Sequence, residues 1–376
     1  MVLISTIIAY PEQVSGQSIN TARKIGLKEA VELALKNNPG LKQADLKVLQ
    51  RAELEKTAFD PSKLNISLAQ SPLEGASPDN NLGVEQTFSF PTIYAKQAAL
   101  LKEQTDLEKN QRNITSNELV KNVRIAFSNL LFANQSLVLW QIQDSVLNEF
   151  LRIADLRYKT GESSKTEFLS ASNRYRQLQL LKQQSEAYKA VALQEMNKLL
   201  NSTIAYDVAE EKGYKMELDK LADSTNFSQN PLLAFAAQQI RLNEANVNLQ
   251  NAGFLPDLNI GYQHQLIFSG WNPENIDKSH GKNTRIAGLS LGVAIPMFNI
   301  RAQKAKIRAA KLAVEAAEFD YEQTIVNMKT SYLQQLSYYQ QLNSSLKFYE
   351  TIGLKEADEL LSSSTLGYQK GEIDYV

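Results

Sequence analysis

The chain repeats itself, and the repeat limits what it can fold into more than any single motif does. Asn38-Pro39 returns as Asn230-Pro231, each opening an amphipathic stretch rich in Ala, Leu, Gln and Asn. Each stretch closes on a Phe and a Pro, Phe59-Asp60-Pro61 and Phe254-Leu255-Pro256. Leu64-Asn65-Ile66-Ser67-Leu68 is matched by Leu258-Asn259-Ile260-Gly261-Tyr262. After a polar loop, Gly83 to Phe90 ends at Pro91, as Gly288 to Ile295 ends at Pro296. Tyr158-Lys159-Thr160-Gly161 answers Tyr368-Gln369-Lys370-Gly371, and the offset drifts from about 192 to about 210 residues. The unit is helix, strand, strand, long helix, helix, used twice. A mainly α protein with a small β part is the fold class this predicts.

Residues 92–160 hold no Pro and no Gly, and residues 299–369 hold only Gly353 and Gly367. At 1.5 Å per residue each segment makes a helix of roughly 100 Å. Apolar residues step by threes and fours, as in Val120, Val123, Phe127, Leu130 and Leu137, or Ile325, Met328, Tyr332, Tyr339, Leu342, Leu346 and Tyr349. That is coiled-coil spacing. Both long segments lead to a turn. At Gly161 a left-handed helix end costs no Cβ clash. Ser164-Lys165-Thr166-Glu167 then reads as a capping box that restarts a helix.

Four short runs obey a different period. Strands are expected at about 63–70, 82–90, 257–268 and 284–295, each alternating apolar with small or polar residues. Leu64, Ile66 and Leu68 are one apolar series; Val84, Phe88 and Phe90, Leu258, Ile260 and Tyr262, and Leu289, Leu291, Val293 and Ile295 are the others. Their length and dyad pattern suit membrane strands with one face to lipid and one to water. Phe88, Phe90, Tyr262 and Phe268 would supply interfacial aromatics, Glu85 would face the lumen, and His264 would share the lipid-facing parity. Two half-buried hairpins of a soluble protein would alternate in the same way. The flanking helices, polar on most of their circumference, offer no soluble core to receive them. In lipid an open sheet edge is forbidden, and four strands cannot close a barrel. Three chains would give twelve strands.

Composition excludes much else. With no Cys, there are no disulfides, thiolate metal sites or cysteine nucleophiles. His264 and His280 are the only histidines, and His280 beside Trp271, Glu274 and Asp277 falls short of a metal constellation. A net charge of −1 gives no basic field for nucleic acid. No nucleophile elbow, phosphate loop or dinucleotide glycine pattern occurs, so no enzyme and no cofactor are expected. Met1 to Ala9 followed by Val14-Ser15-Gly16-Gln17 reads as the remnant of a signal peptide over residues 1–16, although no basic residue precedes Arg23.

In order and repetition these motifs resemble the TolC family of outer-membrane efflux proteins over roughly residues 25–376. Phe59-Asp60-Pro61, Asp79-Asn80-Asn81 and Phe90-Pro91-Thr92-Ile93-Tyr94 are similar to its heavy-metal branch, CusC- and CzcC-like. The resemblance implies a first repeat over 25–200, a connecting equatorial segment over 201–225 and a second repeat over 226–376. It implies a homotrimer with a 12-stranded barrel in outer-membrane lipid, continued by a periplasmic α-helical barrel. In the family the second repeat ends in a further long helix, which this sequence lacks after Gly371. The partners implied are a periplasmic adaptor (membrane fusion) protein and an inner-membrane RND-type transporter. Tyr158, Gly161, Glu162, Tyr368, Gly371 and Glu372 would form adaptor-docking tips, and Pro91 and Pro296 the strand-to-helix junctions. The acidic residues there, with Asp374, read either as cation attraction or as complements to helix dipoles. An exit duct for solutes, heavy-metal cations among the candidates, is the function expected. The same duct serving drug efflux or type I protein secretion, and a soluble periplasmic coiled-coil interaction protein, are the rival readings.

Overall fold

The computed structural model describes residues 23–70, 79–202, 204–209, 227, 229–267 and 284–370. The expected signal-peptide remnant, the polar loop tips, most of the 201–225 segment, and Gly371, Glu372 and Asp374 lie outside these residues.

Two compact units share the chain, and the helix over 91–160 contributes to both. The first comprises Met1–Pro39, Glu118–Glu217 and Phe348–Val376, the second Gly40–Asn117 and Leu218–Lys347. In chain order the elements are β1 (Arg23–Ile25), α1 (Leu27–Asn37), α2 (Pro39–Glu55), β2 (Asn65–Gln70), β3 (Asp79–Phe88), α3 (Pro91–Thr160), α4 (Lys165–Leu200), β4 (Tyr206–Val208), α5 (Pro231–Ala252), β5 (Asp257–Ile267), β6 (Thr284–Ala294), α6 (Ile300–Phe348) and α7 (Leu354–Lys370). A single π turn, Tyr349–Gly353, joins α6 to α7.

Three local rules build these elements. Pro39, Pro91 and Pro231 each stand first in a helix, where the missing N–H costs nothing and φ is already set. At α5 the Asn230 side-chain oxygen accepts the Leu232 N–H at 2.9 Å, capping the free amides. Helix α3 then runs 70 residues without a break, because nothing in it interrupts the i to i−4 ladder. The second long segment is interrupted, contrary to the unbroken helix its sequence suggests. One residue too many is accommodated as the π turn ending at Gly353.

In the first unit Val123, Phe127, Leu130 and Ala133 of α3 are fully buried, as are Met196 and Leu200 of α4. Ala30 and Ala34 of α1 are equally enclosed. The sequence periodicity does not reveal a two-stranded parallel sheet, β1 on β4, which seals Ile25 and Val208 into this core.

The second unit is built on small residues. On α6 Gln303, Ala310 and Ala317 are buried at a seven-residue step, as are Gln238, Ala245 and Ala252 on α5. Asn243 donates to the Ala313 carbonyl at 3.0 Å, and Gln303 to that of Gln250. These amide-to-backbone bonds satisfy polar groups where helices approach closely.

Candidate functional site: an amphipathic sheet and a helical tip

The four-stranded sheet of the second unit is antiparallel throughout, in the order β2-β3-β5-β6. Its register settles the faces. Ile66 pairs with Val84, Val84 with Tyr262 and Tyr262 with Leu289. Phe88 pairs with Leu258 and Leu258 with Val293; His264 sits between Leu82 and Ala287. Period two therefore collects every expected apolar series, with His264, on one face. That face is open: Leu68 is 78% exposed, and Leu289 and Leu291 are each 83% exposed.

The other face carries Asn65, Glu85, Gly261 and Ser290 in one cross-strand row, and Ser67, Gly83, Gln263 and Gly288 in the next. Glu85 thus lies on the polar side. A Cβ on Gly261 would stand 2.4 Å from the Ser290 hydroxyl, so a larger residue there would make the serine side chain move. Among the described residues, both edge strands, β2 and β6, have an unpaired side.

The two junctions differ. At the first, Pro91 opens the helix directly; Tyr94 packs on Phe59 with ring centroids 4.8 Å apart, and its hydroxyl accepts the Ser89 N–H at 3.0 Å. At the second, Pro296 precedes the helix by four residues. The Met297 N–H turns back to the Ile295 carbonyl, Met297 is 66% exposed, and Phe298 stands fully in the open.

In the first unit α3 ends at Gly161, whose φ is +80°. Gly161 N–H donates to the Tyr158 carbonyl and Glu162 N–H to that of Arg157, the paired bonds of a Schellman end. Ser164 then accepts the Glu167 N–H at 3.2 Å. The other half of the expected capping box does not form. The Glu167 carboxylate instead accepts the Tyr368 hydroxyl at 2.7 Å and lies 4.0 Å from the Arg157 guanidinium. Arg157 donates to the Tyr368 carbonyl, its guanidinium stands 4.8 Å over the Tyr368 ring, and Phe150 stacks on that ring. Burial first, and then the bond to Glu167, push the Tyr368 phenol up to about 12.

Of the six tip residues read from sequence, Tyr158, Gly161 and Glu162 come together at this turn, Tyr158 stacking on Phe168. Tyr368 joins them from α7 but is buried, so it holds the tip together rather than presenting a surface. Gly371 and Glu372 lie outside the described residues, as does His280. Sequence reasoning missed Arg157, Glu167 and Phe150 as members of this cluster, since their pairing crosses some 200 residues of chain. Among the described residues no group of three or more His, Asp or Glu could hold a metal, and no helix is long and apolar enough to cross a membrane.

The described residues thus combine an amphipathic four-stranded antiparallel sheet with long helices. Residues 225–376 match the model of the outer membrane efflux protein family. No curated protein sequence matches the chain. Among solved structures, CusC is similar at a TM-score of 0.78 and 18% identity, over 96% of this chain and 87% of that one. A membrane protein from Pseudomonas aeruginosa gives 0.75 and 16%, over 93% and 83%. VceC from Vibrio cholerae gives 0.71 and 15%, over 92% and 86%. The family match lies in the second half of the chain, and the fold of these solved structures is shared over nearly its whole length.

Proposed function

We propose that three copies of this chain close a 12-stranded barrel and serve as the exit duct of a tripartite pump. One observation carries this reading. The register gathers the apolar series of four strands on one face and, among the described residues, leaves an unpaired edge on each side of the sheet. In hydrocarbon neither edge tolerates exposure, so each must pair with another copy. The polar face, with Glu85, then lines a wet lumen that conducts solute passively. Heavy-metal cations are the cargo favoured by the resemblance to CusC, and the pump rather than the duct would select them.

Tyr158, Gly161 and Glu162 dock the periplasmic adaptor in this reading, with an inner-membrane RND-type transporter behind it. Glu162 is exposed, and a Schellman turn presents it on a fixed backbone. Planar-bilayer conductance of the purified protein tests the duct. Stepwise openings are expected, whereas recovery of the full-length protein from the soluble fraction without detergent would favour the coiled-coil interaction protein. For the tip, Glu162→Lys should lower efflux-dependent resistance while the amount of protein in the outer membrane stays level. Unchanged resistance would remove Glu162 from the docking surface.

A further inference from the structure

We propose that the junction between β6 and α6 is a binding surface for anionic phospholipid, formed by an apolar wedge and a cationic stripe. The inference rests on the reading of the sheet as membrane-embedded. The wedge continues the lipid face. Leu289, Leu291, Val293 and Ile295 share one parity at 61–83% exposure, and Met297 and Phe298 follow them, Phe298 bare of any contact that would shield it. At the matching junction of the first repeat Pro91 opens the helix directly, and Tyr94 is folded against Phe59.

The stripe follows within two turns. Arg301, Lys304, Lys306, Arg308 and Lys311 all precede the first acid, Glu315. Arg301, Lys304 and Arg308 are spaced three and four apart, which puts them on one side of α6, away from the buried Gln303 and Ala310. All three are exposed, and among the described residues none makes an ion pair or a side-chain hydrogen bond. Helix stability does not explain them. The first turn of α6 holds no acid, and cations there oppose the positive end of the helix dipole. What suits three free cations beside an inserted aromatic is a layer of phosphate headgroups over hydrocarbon. The sheet edge fixes the depth: α6 starts six residues past the last strand residue, so Arg301 and Lys304 fall at headgroup level and Arg308 reaches back along its stem.

The test uses the full chain reconstituted in vesicles of phosphatidylcholine alone or with phosphatidylglycerol. After detergent extraction, the phospholipid retained per protomer is measured by mass. The wild type should retain phosphatidylglycerol over phosphatidylcholine by roughly tenfold or more. The variant Arg301→Gln/Lys304→Gln/Arg308→Gln should lose that preference while inserting as well as wild type. Because the chain has no Cys, a nitroxide at Phe298→Cys reports depth without competing labels. Relaxation by a lipid-soluble agent is expected there. Equal retention of the two lipids by wild type, or an unchanged preference in the triple variant, would overturn the proposal and leave the channel reading standing. A label shielded from lipid-soluble and water-soluble agents alike would mean that another copy covers Phe298, which also overturns it. Failure of the wild type to insert at all would overturn both.

Discussion

Tyr368 is a phenol with a stacked ring and a guanidinium against its aromatic faces and a carboxylate at its tip. Removing only the hydroxyl, by Tyr368→Phe, keeps the stacking and leaves Glu167 short of one donor. A hydrogen bond to a charged group contributes about 1.5–3 kcal/mol, and Arg157 remains to take part of the load, so a local loss of roughly 1–2 kcal/mol is expected. Hydrogen exchange at the ends of α3 and α4 should read it. The phenol is raised on folding, so its contribution is complete below its unfolded value near 10 and disappears as pH climbs toward about 12. Faster exchange above pH 10 in wild type, with no such increment in Tyr368→Phe, is the expected result. Gly161 raises a different question. Nothing lies within 4 Å of the Cβ it lacks, so Gly161→Val is opposed by its φ of +80° and not by crowding. Thermal unfolding should show a cost of about 1–3 kcal/mol, and Gly161→Asn, which tolerates the left-handed region, should recover most of it.

The strand is where face and register decide tolerance. Leu291 lies on the apolar face and Ser290 beside it on the polar one. A lysine at 291 near the bilayer midplane would cost about 2–4 kcal/mol, whereas one at 290 would point to water. Heat-modifiable mobility of folded protein in detergent should fall for Leu291→Lys and persist for Ser290→Lys. These elements were readable in advance because a two-residue period survives any tertiary context, and because Pro91, Pro231 and Pro296 punctuate the chain. Strands β1 and β4 were not. Three residues carry no period, and the contact joining them reaches from Arg23 to Tyr206. The π turn was hidden too, since Tyr349–Gly353 keeps a helical composition and the insertion shows only in the hydrogen bonds. Glu167 sat where a capping box wants it, but the nearby Tyr368 hydroxyl and Arg157 claimed its carboxylate instead.

At the scale of the molecule, the described residues leave apolar surface that none of them covers. On α6, Leu312, Phe319, Val326 and Leu333 recur every seven residues and are 49–70% exposed. Leu342, Leu346 and Tyr349, expected to pack in a coiled coil, are 46–69% exposed. A seam of this period asks for another helix. The detergent-corrected mass should therefore be that of three protomers, and a mass of one or two would contradict the closed barrel.

The order in which this molecule can assemble follows from one pairing. Strand β3 reaches β5 only by bringing Phe88 to Leu258, nearly half the chain's length away. Each hairpin, β2 with β3 and β5 with β6, joins strands that are neighbours in sequence and can form early, whereas the ladder between them must wait for a much longer closure. During that wait both inner strands, β3 and β5, offer open hydrogen-bonding edges beside bare apolar faces, the combination most prone to mispairing. Newly made chains should consequently depend on holding factors until the central ladder zips, and starving cells of such factors should deplete this protein before it affects its compact soluble neighbours.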